Sequence, residues 1–271
     1  MGTKTGKRTA KAADGKQLSN PVLFNLRATW ARWWDFVRLN SQPDKPLELE
    51  NCTAIHERLL RFSDKHPNEP KHVKAVLMTL AKGKHLVEAA IRWENPIVGP
   101  EQADKPTRTD QARGEQWQLV MAYAGWETVR EALVPIAHKF TNWTERIDYY
   151  LRLCEPPGCP LIPPPNRERA ALEEWLECDD DPSGKHQLLV FLCLENGDAK
   201  TIRDWMVNGQ GIDSWPALIQ LAKALRNATA HGALSASKVN DWGLRKTFRT
   251  LSMSLGEITA GAFRRLAVIA I

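Results

Sequence analysis

An arginine and a histidine lie close together near the end of a run that favours a helix. Residues 225–232 read LRNATAHG, which places Arg226, Asn227 and His231 just before Gly232. A histidine titrates near neutral pH and can accept or donate a proton. A guanidinium is always charged and can hold a phosphate through two hydrogen bonds. With Asn227 to orient either group, these residues suit cleavage of a phosphodiester. No metal ion is required if the 2′-hydroxyl of RNA is the nucleophile.

The helix that carries these residues has clear signals at both ends. Ser214 can cap its first turn, and Pro216 fits a position in that turn. Gly232 can adopt the left-handed conformation that ends many helices. At about 100° per residue, one face carries the apolar residues and a threonine, namely Leu218, Leu221, Ala222, Leu225, Ala228 and Thr229. This stripe predicts a helix from residue 214 that packs one face on a core.

The same helical wheel separates the two most reactive side chains. Asn227 and His231 are four residues apart and lie together, roughly opposite the apolar stripe. Arg226 lies beside the stripe, more than 90° from His231 on an ideal helix. Either the helix is distorted near its end, or a partner chain completes the site. We expect Arg226 and His231 to face away from the core of their own chain.

The remaining chain also shows helical periodicity, because apolar residues recur at steps of three and four and rarely alternate. The first helix is expected from a cap at Ser19 to about Asn40, and the last from Ser237. The run QLLVFLCL at 187–194 is apolar on all sides and is interpreted as a buried helix. Further helices are predicted near 51–63, 70–93, 110–139, 141–154 and 167–178. The sequence therefore predicts an all-α protein.

LRNATAHG resembles the Arg-x4-6-His signature of the HEPN superfamily, named for higher eukaryotes and prokaryotes nucleotide-binding domains. In that signature the residue after the arginine is usually Asn, Asp or His, as Asn227 is here. The resemblance implies a helical bundle, a homodimer whose two motifs line one cleft, and an endoribonuclease that leaves 2′,3′-cyclic phosphates without metal or cofactor. Carried over by position, it implies Arg226 as the phosphate-stabilising residue, Asn227 as its polar partner and His231 as the catalytic acid or base.

The resemblance also suggests a division of the chain. MAYAGWETVREAL, residues 121–133, is similar to a helix with a buried aromatic residue and a glutamate found early in many HEPN bundles. A HEPN-like domain would then span 110–271, with a proline-rich insertion near 155–166, and residues 18–109 would form an additional N-terminal helical region. Residues 1–17 contain five Lys or Arg, one Asp and almost no large apolar side chain, which predicts a basic disordered arm.

Composition limits the partners and the compartment. The formal charge of +5 and the pI near 9.0 favour polyanionic partners such as RNA. No 18-residue apolar run and no signal-peptide pattern occurs, so we expect a cytoplasmic protein that does not bind membranes. The five scattered cysteines fit reduced thiols. A zinc site using Cys154, Cys159 and either Cys178, Cys193 or His186 is an alternative, although the spacing differs from the usual zinc knuckle.

Three other interpretations compete with the nuclease hypothesis. Arg226 and His231 could simply stabilise a helix C-terminus through its dipole. The protein could be an inactive HEPN-like module that binds RNA or nucleotide, or a structural partner that docks another macromolecule. Arginines and tryptophans on the first helix could also clamp single-stranded RNA, although aromatic residues at helical spacing more often form a core. By resemblance, the nuclease would be a prokaryotic toxin or anti-phage effector with a possible antitoxin or regulatory partner.

Overall fold

The computed structural model describes residues 20–41, 52–63, 72–93, 106–134, 140, 142–180 and 186–269. Within these residues the fold is all-α, as predicted, and β-pairing is limited to two isolated bridges. A π-helical turn, Arg203–Val207, follows the eighth helix. The α-helices are α1 Pro21–Leu39, α2 Thr53–Phe62, α3 Val73–Arg92, α4 Arg108–Leu133, α5 Trp143–Cys154, α6 Ala170–Leu176, α7 Gln187–Phe191, α8 Asn196–Ile202, α9 Trp215–Ala230, α10 Ala236–Asp241 and α11 Arg245–Val268.

The first helix packs its tryptophan-bearing face on the last helix, α11. Trp33 is completely buried, while Trp30 stacks on Trp34 with ring centroids 5.4 Å apart. Trp30 also meets Phe263 of α11 edge-on, with centroids 4.9 Å apart. Fully burying a large apolar side chain stabilises the fold by about 3 kcal/mol. These contacts favour the core interpretation over the RNA clamp, because bases stack on exposed rings.

Two glycines let α3 and α4 approach closely. A Cβ atom on Gly83 would lie 2.7 Å from the carbonyl oxygen of Gly125 and 2.7 Å from a methyl carbon of Val129. A Cβ atom on Gly125 would lie 2.7 Å from the backbone nitrogen of Val87. Any side chain at either position would therefore push the helices apart. The pair fixes the distance between α3 and α4, and α4 carries residues of the site described below.

One hydrophobic core includes buried residues from both halves of the chain. At its centre α11 contacts α1, α3, α4, α5 and α9. Arg58 of α2 is also buried, and its guanidinium donates to the carbonyl oxygens of Leu266 and Ala267, at the end of α11, at 3.4 and 3.3 Å. The helices of the 18–109 region therefore share their packing with those of 110–271. The division into these two regions stays a prediction.

The proline-rich segment 155–166 is held against the body of the protein. Ile162 pairs with Ile212 through two backbone hydrogen bonds of 2.7 and 2.9 Å. The indole N–H of Trp215, at the start of α9, donates to the carbonyl oxygen of Pro157 at 2.8 Å. The indole of Trp205 donates to Pro163 in the same way at 2.9 Å. Since α9 begins at one of these contacts, the segment positions its N-terminal end.

The start predicted for the last helix is wrong, because the helical path is interrupted between α10 and α11. Gly243 has a φ of +71°, which ends the helical path, and α11 begins only at Arg245. Arg169 stabilises this break by donating to the carbonyl oxygens of Asn240 and Asp241 at 3.3 and 3.1 Å. These acceptors lie at the end of α10, where carbonyl groups lack helical partners.

Three other local predictions need correction. The cap of α1 is Asn20 rather than Ser19, because the Asn20 side chain accepts from the backbone N–H groups of the first turn. The run 187–194 forms only the short α7, and Cys193 beyond its end adopts a φ of +52°. The helix is also not buried on all sides, because Val190 is 48% exposed. The helix predicted at 110–139 ends at Leu133, and 135–139 lie outside the described residues. Among the helices described, none is long and apolar enough to cross a membrane.

Candidate functional site

The predicted motif lies on the last turns of α9, which follows the expected course. Pro216 lies in the first turn, and Gly232 has a φ of +75° after the helix ends. Ser214 occupies the N-cap position, but its side chain does not form the capping hydrogen bond that was predicted. The apolar stripe from Leu218 to Ala228 is buried against α4, α8 and α11. Along the same turns Arg226 and Asn227 are half-buried and His231 is exposed. The helix thus presents the three candidate residues at different depths.

Arg226 is anchored to α4. Its Nη2 donates to Oε2 of Glu127 at 3.1 Å, and its Nη1 donates to Oδ1 of Asn227 at 2.9 Å. The guanidinium carbon lies 4.9 Å from the ring centroid of Tyr123, whose side chain is buried. The expectation that Arg226 faces away from the core is therefore wrong in part, because only 29% of its side chain is exposed. Two residues of the 121–133 helix hold this arginine in one place.

Asn227 belongs to a second set of hydrogen bonds, centred on Asp198 of α8. Oδ2 of Asp198 accepts from Nδ2 of Asn227 at 2.8 Å. Oδ1 accepts from Gln220 at 2.6 Å and from the ammonium of Lys223 at 3.0 Å. The Asp198 side chain is only 6% exposed, so the carboxylate relies on these three donors in place of water. The amide of Asn227 therefore links the Asp198 carboxylate to the Arg226 guanidinium.

His231 is separate from this network. Its backbone N–H donates to the carbonyl oxygen of Asn227 at 2.9 Å, which places it at the C-cap of α9. Its imidazole forms no hydrogen bond or ion pair with the described residues. The five-residue step from Arg226 corresponds to about 140° around a helix, and α9 stays α-helical through Ala230. The structure therefore brings Arg226 and Asn227 together, but does not bring His231 to Arg226 within one chain.

A buried arginine extends the charged network along α4. Arg130 is 3% exposed, lies 3.7 Å from Glu127, and forms a close ion pair with Glu131. Arg146 of α5 binds the same Glu131 carboxylate at 2.8 and 2.5 Å. Burial acts to raise the pKa of Glu131, but the hydrogen bonds and charges of Arg146 and Arg130 outweigh it. The pKa of Glu131 is therefore lowered from its ordinary value.

An apolar strip on α4 is partly exposed beside the anchored arginine. It consists of Trp117, Val120, Met121 and Ala124, which recur at helical spacing on the face that α4 turns away from α3 and α11. The Trp117 side chain is 48% exposed and the other three are half-buried. Side chains of this kind on one helix face are typical of surfaces that bind another protein. We refer to these four residues as the α4 strip.

The structure does not support the zinc alternative. Within the described part of the chain, no group of three or more His, Cys, Asp or Glu side chains is placed to hold a metal ion. Cys154 is buried in the core and Cys193 is exposed at the end of α7. Burial and the nearby charge of Asp213 raise the pKa of the Cys159 thiol to about 11. These cysteines are consequently separate thiols, and Cys159 is protonated at neutral pH.

Sequence reasoning missed Glu127 and Asp198 as partners of the motif. Glu127 lies in the 121–133 stretch that carries the weaker resemblance, so a signal for it was present. Asp198 lies in α8, whose sequence NGDAKTI has a glycine and β-branched residues and gives no strong helical signal. The contact between Asp198 and α9 depends on tertiary packing, and periodicity cannot show it.

Comparison of the chain with protein-family models, with curated proteins and with solved structures finds no match. The residues themselves and the geometry given above are therefore the basis for assigning a function.

Proposed function

We propose that this protein is a metal-independent HEPN-type endoribonuclease that acts as a homodimer. One observation carries the proposal. Arg226 and Asn227 are held in fixed positions by Glu127 and Asp198, while His231 stands exposed at the end of the same helix. A fixed guanidinium from one chain and an exposed imidazole from its partner would together supply the charge stabilisation and the proton transfer of phosphodiester cleavage.

In the proposed reaction the ribose 2′-oxygen forms a bond to phosphorus while the bond from phosphorus to the 5′-oxygen breaks. His231 removes the 2′-hydroxyl proton, and the resulting imidazolium donates a proton to the leaving 5′-oxygen. Arg226 stabilises the added negative charge on the phosphate, and Asn227 keeps the guanidinium oriented. The products are a 2′,3′-cyclic phosphate and a 5′-hydroxyl, and no metal ion takes part.

A homodimer would supply the arrangement that one chain lacks. Because Arg226 and His231 diverge by about 140° on α9, the arginine of one copy is better placed to meet the histidine of another. The α4 strip lies next to Tyr123 and Glu127, which anchor Arg226, so a second copy bound there would lie beside the motif. A symmetric pair would bring both motifs to one cleft.

The first test is cleavage of single-stranded RNA and tRNA in EDTA. Wild-type protein is compared with Arg226→Ala and His231→Ala, and with Arg32→Ala and His85→Ala as controls at exposed positions on α1 and α3. We expect the motif variants to lose at least 100-fold in rate and the controls to match wild type, with cyclic phosphates at the new ends. Equal cleavage by all five proteins would indicate a contaminating nuclease and contradict the proposal.

Mixing two inactive variants tests the shared site. A heterodimer of Arg226→Ala with His231→Ala contains one site with both an intact arginine and an intact histidine, if those residues come from different chains. After random subunit exchange we expect about a quarter of wild-type activity to return. No recovery, with exchange verified by mass spectrometry, would show that both residues act within one chain.

We further propose a prokaryotic toxin or anti-phage role, restrained by an antitoxin or regulatory partner. The support for this role is the resemblance of the motif, since many activities share one fold. Induced expression in a bacterial host is expected to arrest growth for wild type but not for His231→Ala at equal protein level. Normal growth with wild type would count against an unrestrained toxin.

A second candidate is an inactive RNA-binding or protein-interaction module. The observation in its favour is that Arg226 and Asn227 are both already engaged by carboxylates and by each other. A phosphate would have to use the remaining N–H groups of the guanidinium beside the negative charge of Glu127. Salt-dependent RNA binding without cleavage would identify this module, whereas a structural partner would not bind RNA.

A further inference from the structure

A cavity lies where the N-terminal end of α11 meets α4 and the end of α3. Its volume is about 490 Å³, which lies in the range of small-molecule sites. Arg245, Arg249, Glu115 and Trp93 are among the residues that line it. None of these residues belongs to the proposed cleavage site, so binding at this cavity does not depend on that function.

The described residues that line the cavity carry a net positive charge. The Glu115 carboxylate, 8% exposed, accepts from Nε and Nη2 of Arg245 at 2.8 Å each. Arg249 also forms a close ion pair with this carboxylate. Glu115 is the only acidic residue among the described residues that line the cavity. Two guanidiniums and one carboxylate leave one positive charge, and a single arginine would have been enough to neutralise Glu115.

The second arginine is free to bind other acceptors. A guanidinium has five N–H groups, and Arg249 directs one nitrogen at Glu115 while its side chain remains 58% exposed. Arg245 is 23% exposed and is locked by its two-fold contact. Glu115 therefore acts as a buried anchor that holds two guanidiniums at the cavity. Such paired guanidiniums match the geometry of a phosphate group.

An apolar wall lies near these charges. Trp93 is 38% exposed at the end of α3, and Met253 and Ile91 line the cavity with it. We propose that this cavity binds a small organic phosphate monoester, with its phosphate on Arg249 and Arg245 and its planar group against Trp93. A phosphate dianion offers three oxygens and two charges, whereas a carboxylate offers only the two oxygens and single charge that Glu115 already provides.

Calorimetric titration with phenyl phosphate tests this site, because that probe carries only a phosphate and a ring. We expect one molecule per chain, with at least tenfold weaker binding in Arg249→Gln. Arg264→Gln makes the same charge change at an exposed position of α11 and should bind like wild type. Trp93→Ala should weaken phenyl phosphate about threefold to tenfold and leave inorganic phosphate unchanged.

Several results would overturn the proposal. The first is that Arg249→Gln binds phenyl phosphate as tightly as wild type does. The second is that the protein binds benzoate and phenyl phosphate with equal affinity. The third is that it binds an RNA oligonucleotide but does not bind phenyl phosphate. Because Arg249 is more than half exposed, Arg249→Gln should keep the melting temperature of wild type, so loss of binding would report the site. The outcome does not depend on whether the protein cleaves RNA.

Discussion

Changing Asp198 to asparagine should weaken both the fold and the candidate site. The substitution keeps the size of the side chain but removes its charge and replaces one acceptor oxygen with a donor. In the wild type, Oδ1 of Asp198 accepts from Gln220 and Lys223, and Oδ2 accepts from Asn227. In either orientation of the new amide, a donor would face a donor at one of these positions.

The hydrogen bonds that Asp198 accepts set the size of the effect. A hydrogen bond to a charged group contributes about 1.5–3 kcal/mol. Asp198→Asn removes at least one of the three bonds and takes the charge from those that remain. We expect the free energy of unfolding to fall by about 2–3 kcal/mol. For a chain of this size, each kcal/mol lowers the melting temperature by about 2–4 °C. The melting temperature should therefore fall by roughly 4–12 °C.

Circular dichroism during heating gives this melting temperature. Asp241→Asn is the matched control, because Asp241 is exposed and should change stability by no more than about 0.5 kcal/mol. If the protein is the proposed nuclease, Asp198→Asn should also slow RNA cleavage at temperatures where it is fully folded, since Asn227 and then Arg226 lose their orientation. A melting temperature within about 1 °C of wild type would refute the assignment of Asp198 as a buried anchor.

Three further predictions concern stability. Gly83→Ala should lower the free energy of unfolding, measured by chemical denaturation, by about 2–3 kcal/mol, because its Cβ would meet the backbone of α4. A Cβ on Gly158 meets no atom within 4 Å, so the control Gly158→Ala should not change the free energy of unfolding. The pKa of Glu131 is lowered in the fold, so the ionised carboxylate stabilises the fold above the ordinary glutamate pKa, and this stabilisation is lost as the pH falls toward the lowered pKa. When the pH is lowered below about 5, Glu131→Gln should therefore lose less stability than wild type. His231→Ala should melt like His85→Ala and like wild type, because both histidines are exposed, and a large loss for either would contradict its placement.

The helical class and the course of α9 could be predicted from sequence because local signals determine them. The stripe on α9, Pro216 in its first turn and Gly232 after its end all act within a few residues. The break before α11 was harder, because apolar residues are buried on both sides of Gly243 and periodicity continues across it. Arg169, more than 70 residues earlier, stabilises that break through Asn240 and Asp241.

The candidate site was predictable only in part, for the same physical reason. Arg226, Asn227 and His231 share one helix, so their spacing was visible in the sequence. Glu127 and Asp198 reach them from two other helices, and only packing decides which carboxylate meets which donor. The helical wheel did predict that Arg226 and His231 diverge, because that angle is a property of the helix itself.

The close approach of Gly83 and Gly125 gives a way to recognise distant relatives of this chain. The two positions are far apart in sequence, yet each leaves no room for a Cβ beside the other helix. A larger residue at one position would force α4, with Tyr123 and Glu127, away from α3. Proteins that share this architecture should therefore keep small residues at both positions. A search that requires small residues at both, followed by an Arg-Asn-x3-His motif, would select by geometry where overall sequence similarity is too low to detect.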